Sequence, residues 1–153
     1  MSSRIETRLA ELGIQLPPAS APGANYVPVV KSGGLLFISG QVSAIPDDKH
    51  FGKLGGGLNV EQGQAAARVC AISLMAQLKI FLGDLEAVGR FVKLTGFVNC
   101  TPDFTDIHLV MNGCSDLLVD VFGEPGRHAR SAIGMVSLPL GVAVEVEAIV
   151  EPK

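Results

Sequence analysis

The order of its periodic segments predicts that this 153-residue chain is an α+β protein, with one β-sheet carrying two long helices on a single face. Strand-like segments occur at residues 26–31, 35–41, 91–100, 130–136 and 142–150, the last alternating strictly around its two acids. Two longer segments, from Asn59 or Val60 to about Leu82 and from about Phe104 to Val121, carry apolar stripes at helical spacing. The order is strand pair, helix, strand, helix, strand pair. Two such helices can cover only one face of the sheet those strands build.

Each element has its own punctuation. Ser3 is an N-cap for a short helix reaching about Leu12, with Gly13 as its stop. The Pro- and Ala-rich piece from Leu16 to Ala24 excludes regular helix and reads as an extended arm laid over the body. Ser32-Gly33-Gly34 joins the first two strands as a hairpin, and residues 45–57 are loop. Gly83-Asp84 closes the first long helix, Pro102-Asp103 precedes the second, and residues 122–126 end it. Leu138-Pro139-Leu140-Gly141 predicts a tight turn that pairs the last two strands as a second hairpin.

Size and composition bound the function. The chain is expected to be one domain, with residues 1–24 as helix and arm and 25–150 as core. Hydrophobic residues make up 48% and charged residues 18%, which for a chain this small predicts that a partner subunit covers part of the surface. A net charge of −3, with scattered Lys and Arg, argues against nucleic acid as a partner. Cys70, Cys100 and Cys114 form neither a disulfide framework nor a metal-ligand spacing, so a reducing, cytoplasmic setting is expected. The apolar stretch 65–82 is broken by Arg68, Gln77 and Lys79 and reads as a buried helix rather than a membrane span. No signal-peptide pattern is seen at the amino terminus.

The candidate chemistry lies in the last two strands. Val144, Val146 and Ala148 share one face, so Glu145 and Glu147 project from the other, which the helices leave uncovered. A half-apolar open face needs a partner, and a closed ring of copies would bury it and create clefts between subunits. The planar fork of Arg130 suits a carboxylate, or else a structural ion pair. Glu145 either activates a water or makes a hydrogen bond at a subunit interface. Ser39-Gly40-Gln41 either lets a ligand approach the backbone or marks a bulge. Tyr26, the one tyrosine, either caps a pocket or is structural. His108 and His128 lack the spacing of a metal site, and no thiol is paired with a histidine motif.

Three segments, Leu35-Leu-Phe-Ile-Ser-Gly-Gln41, Phe91-Val-Lys-Leu-Thr-Gly-Phe-Val98 and Arg130-Ser131 through Leu138-Pro139 to Val144-Glu-Val-Glu-Ala-Ile149, together resemble the RidA/YjgF imine deaminase family, also known as the endoribonuclease L-PSP family. The resemblance covers about residues 25–150. It implies a chorismate-mutase-like fold, a homotrimer with a cleft between subunits, and cofactor-free, metal-free hydrolysis of 2-imino or 2-enamino acids to 2-oxo acids and ammonia. It implies that Arg130 binds the substrate carboxylate and that Glu145 positions the water. Tyr26, Ser39, Gly40 and His108 are further substrate-binding positions, and Glu147 stays structural.

Three departures set this chain apart. Ala132 stands where relatives often carry a cysteine, His108 stands where they carry a ligand-contacting asparagine, and the 122–129 connection is longer. The departures favour an alternative expectation, a non-catalytic trimer that binds a carboxylate metabolite. RNA cleavage, attached to some relatives by name, is disfavoured by the acidic charge.

Overall fold

The computed structural model describes residues 2–153. Helix α1 (Arg4–Glu11) starts on Ser3, whose hydroxyl accepts from the Glu6 amide at 3.2 Å, and buries Ile5 and Leu9. The chain then runs without regular structure to β1 (Val29–Ser32) and β2 (Leu35–Val42), an antiparallel hairpin. Tyr26 lies before the first strand rather than in it. The 45–57 loop contains two short ladders of two residues per strand.

Helix α2 (Val60–Leu82) begins at a full capping box, in which the Asn59 side chain accepts from the Gln62 amide and the Gln62 side chain accepts from the Asn59 amide, both at 2.9 Å. It is long and apolar enough to cross a membrane, yet 67% of its most apolar window is buried inside the protein. β3 (Val88–Asn99) follows, then α3 (Ile107–Phe122), β4 (Ala129–Met135) and β5 (Val144–Pro152). The five strands form one mixed sheet in the order β1-β2-β5-β3-β4, with β4 parallel to β3 and the other pairs antiparallel.

That order corrects the expected second hairpin. β4 and β5 are not paired, because β3 lies between them. α3 is a crossover that returns the chain parallel to β3, as β-helix-β connections do. The turn at Pro139–Gly141 then carries the chain over the end of β3 to its other side. Leu140, at φ 60°, is the one non-glycine residue with positive φ among those described.

Both long helices lie on the face made by Leu36, Ile38, Leu94, Val98, Val144, Val146, Ala148 and Val150, all buried. Where α2 and α3 cross, Gly113 lets α3 lie against the α2 backbone: a Cβ there would come within 2.7 Å of the Gln64 carbonyl carbon. Backbone cannot yield as a side-chain tip can. Gly113→Ala should therefore lower stability by about 1–3 kcal/mol, read as a lower denaturant midpoint with an unchanged slope. The opposite face carries Phe37, Lys93, Thr95, Glu147 and Ile149 around a shallow depression of about 130 Å³, with no helix over it. Phe37 and Ile133 are exposed there, as the uncovered-face expectation required.

Candidate functional site

The residues singled out from the sequence fall into two groups. The first lies where β1 stops short. Its pairing with β2 ends at Val29–Ile38, and beyond that point β2 bulges, since Ile38 faces Ala148 whereas Gln41 faces Val146. The extra residue includes Gly40, and the Glu145 side chain packs directly on it: a Cβ at Gly40 would lie 2.9 Å from the Glu145 carboxyl carbon and overlap one of its oxygens. The bulge reading of Gly40 holds, and its missing Cβ makes room for the Glu145 carboxylate.

Glu145, Gly40 and Tyr26 line one cleft of about 440 Å³, together with Ser20, Gln41, Ser73, Gln77 and the strained Leu140. Loss of solvation, and secondly the neighbouring Glu147 charge, hold the Glu145 carboxyl above the usual carboxylate range. Glu147→Gln removes the second cause only. It should move the Glu145 titration midpoint part of the way down, which carbon-detected NMR of the carboxyl would register; an unchanged midpoint would mean that desolvation alone sets it. Ser39 does not line the cleft. Its hydroxyl donates to the Val27 carbonyl at 2.9 Å and so holds the segment that carries Tyr26.

The second group surrounds Arg130, on the helix-bearing face of the edge strand β4. Nη1 donates to Asn112 Oδ1 at 3.0 Å and to Ser115 Oγ at 3.2 Å, while Nη2 donates to the His108 carbonyl at 3.2 Å. Of five guanidinium hydrogens, Nε–H and one on Nη2 keep no partner among the described residues, the number a carboxylate needs for a bidentate contact. Ser115 is itself held by His128. Nδ1 of His128 donates to the Gly126 carbonyl at 2.7 Å, so in the neutral ring Nε2 accepts from the Ser115 hydroxyl at 2.9 Å. Desolvation, with a smaller contribution from the Arg130 charge, lowers the His128 pKa and favours that neutral form, although the Gly126 contact works the other way.

His108 enters this group through its carbonyl, while its side chain is exposed and makes no hydrogen bond among the described residues. Asn112, one helical turn later, supplies the amide that touches Arg130. Sequence reading missed Asn112, Ser115 and the His128 role. The i, i+4 spacing from His108 puts Asn112 on the same side of α3 and was the available signal. The 122–129 connection is what places His128 against Ser115.

The two groups do not meet within one chain. In the sheet register Arg130 aligns through Leu94 with Ala148, three positions along β5 from Glu145, and β3 lies between. The residues are on opposite faces and their backbones are roughly 14 Å apart at standard strand spacings. All three cysteines are buried; burial pushes the Cys70 thiol well up and the Cys114 thiol up to about 12, so neither offers a thiolate. No cluster of metal-binding side chains occurs among the described residues.

The family model described as "YjgF/chorismate_mutase-like, putative endoribonuclease" matches residues 6–151. The chain belongs to the RidA/YjgF family. Among its YjgF relatives, Protein TCP17 of Trypanosoma cruzi is 50% identical over 98% of this chain and 95% of its own length. The RutC family protein y4sK of Sinorhizobium fredii is 34% identical over 85% of this chain and 90% of its own. The crystal structure of Atu1372, a protein of unknown function from Agrobacterium tumefaciens, superposes with a TM-score of 0.92 at 48% identity, covering 98% of this chain and 93% of that one. The chorismate-mutase-like fold expected from the YjgF resemblance is thereby shown.

Proposed function

We propose that this YjgF protein hydrolyses reactive 2-imino and 2-enamino acids to 2-oxo acids and ammonia, without a cofactor, in a cleft completed between subunits of a cytoplasmic homotrimer. The observation that carries the reading is the Glu145 carboxylate, held on Gly40 in a cleft and made more basic than usual by desolvation. A carboxylate poised in this way accepts a proton at neutral pH better than an ordinary one. A guanidinium with two free donors, on the other face of the sheet, supplies the matching half. In a ring, Arg130 of one copy faces Glu145 of the next, which reconciles their separation within the chain.

In the reaction the substrate carboxylate pairs with Arg130. A water on Glu145 adds to C2 of the imine as Glu145 takes one of its protons and passes it to the imine nitrogen, giving the neutral carbinolamine. Glu145, ionised again, then takes the hydroxyl proton and delivers it to the nitrogen, so that the C–N bond breaks, ammonia leaves, the carbonyl forms and Glu145 ends as the carboxylate. An enamine first gains a proton at C3 to become the imine.

The test adds purified protein to a pyridoxal-dependent dehydratase that converts threonine to 2-iminobutanoate and follows the imine by trapping. Faster loss of imine than in buffer is expected, with a mass in solution of three chains. No acceleration by intact trimers, together with saturable binding of 2-oxobutanoate, would replace this reading with that of a non-catalytic metabolite-binding trimer.

A further inference from the structure

The Glu145 cleft has a second wall that the reaction above does not use. Among the described residues the buried polar side chains are Gln41, Ser43, Ser73, Gln77 and Asn99, and three of these five, Gln41, Ser73 and Gln77, line this one cleft. Burying an amide is costly unless its hydrogen bonds are met, so such a cluster needs a reason. Part of the reason is local: Gln77 Nε2 donates to the Ser20 carbonyl at 3.0 Å and ties the N-terminal arm to α2.

The rest of the inventory is open. Gln41 Oε1 accepts from Ser73 Oγ at 2.8 Å and from Gln77 Nε2 at 3.4 Å, which uses both its lone pairs. Gln41 Nε2 donates to the Ser39 carbonyl at 3.0 Å, leaving one hydrogen. Both Gln77 amide hydrogens are spent on Ser20 and Gln41, while its Oε1 accepts from no described residue. No fully buried side-chain oxygen or nitrogen lacks a partner, so Gln77 Oε1 keeps some solvent contact in a residue that is only 4% exposed and lines the cleft. One acceptor, Gln77 Oε1, and one donor hydrogen, on Gln41 Nε2, are thus left unmatched on residues that line the cleft. Glu145 is the sole charged side chain lining the cleft among the described residues.

We propose that Gln41, Ser73 and Gln77 form a side-chain subsite that selects imino acids ending in a neutral hydrogen-bonding group, a hydroxyl or a carboxamide. The proposal rests on the imine-hydrolase reading of Glu145. Gln41 follows Gly40, on which Glu145 lies, so a substrate with C2 at Glu145 extends its side chain along this wall. An apolar side chain displaces water from Gln77 Oε1 and returns no hydrogen bond. A charged one enters a wall with no counter-ion beyond Glu145, which is occupied with water.

The experiment measures binding to the intact protein by calorimetry, using two unreactive 2-oxo acids with the same number of heavy atoms, 4-hydroxy-2-oxobutanoate and 2-oxopentanoate. The hydroxyl ligand is expected to bind about tenfold more tightly. Gln77→Leu should bring the two within about twofold of each other by weakening only the hydroxyl ligand. Gln77→Met, an unbranched side chain that also lacks the free acceptor, should reduce the preference in the same direction and serves if Gln77→Leu does not fold. Equal affinities in the wild type, or a preference that survives both variants, overturns the subsite. Turnover of 2-iminobutanoate without discrimination removes the subsite and keeps the hydrolase, whereas discrimination without turnover does the reverse. Binding of neither ligand removes the subsite as well.

Discussion

Glu145→Gln is expected to lower kcat for 2-iminobutanoate by about 10²–10⁴-fold while binding of the 2-oxo acid product stays within a few-fold of wild type. Glutamine keeps the shape that packs on Gly40 and removes only the ability to take a proton from water. The pH dependence has a definite sign. The reactive form is the ionised carboxylate, and its pKa is raised, so activity is complete above that raised value and is lost as pH falls through it. The acidic limb of kcat/KM should thus lie at higher pH than an ordinary glutamate would give. Glu147→Gln should move that limb down, by removing the smaller of the two causes. A glutamine variant with near-wild-type kcat would remove Glu145 from the chemistry.

Arg130→Ala should raise KM by about two orders of magnitude, the loss of a charge-assisted bidentate contact, and Arg130→Lys should recover little of it. Lysine has three donors on a flexible stem, against a fork of which three hydrogens are already committed to Asn112, Ser115 and the His108 carbonyl. Those anchors make a further distinction possible. Ser115→Ala leaves the guanidinium in place but loosens it, so a severalfold rise in KM with kcat unchanged is expected. Steady-state kinetics separates the effects; an Arg130→Ala enzyme with normal KM would refute the carboxylate clamp.

Several features were legible because their causes are local. The helix start at Asn59 or Val60, the Gly83 stop and the alternation of Val144, Val146 and Ala148 against Glu145 and Glu147 depend on residues a few positions apart, and the structure has them as expected. The second hairpin was misread for a complementary reason. A turn sequence reports that the chain reverses, not which strand becomes its neighbour, and β3 lies where β4 was expected. Gly40 was ambiguous in the sequence because the group that needs its missing Cβ, Glu145, is more than one hundred residues away.

By itself the sequence determined the family and the helix-covered and open faces of the sheet, and it singled out Arg130 and Glu145 as candidates, since periodicity and motif residues are written in order along the chain. Tertiary structure alone decided that these two residues sit on opposite faces, that Asn112, Ser115 and His128 hold the arginine, and that Gln41, Ser73 and Gln77 share the cleft with the glutamate. Strand order and helix packing bring those groups together across long stretches of sequence, and no short spacing encodes such a meeting.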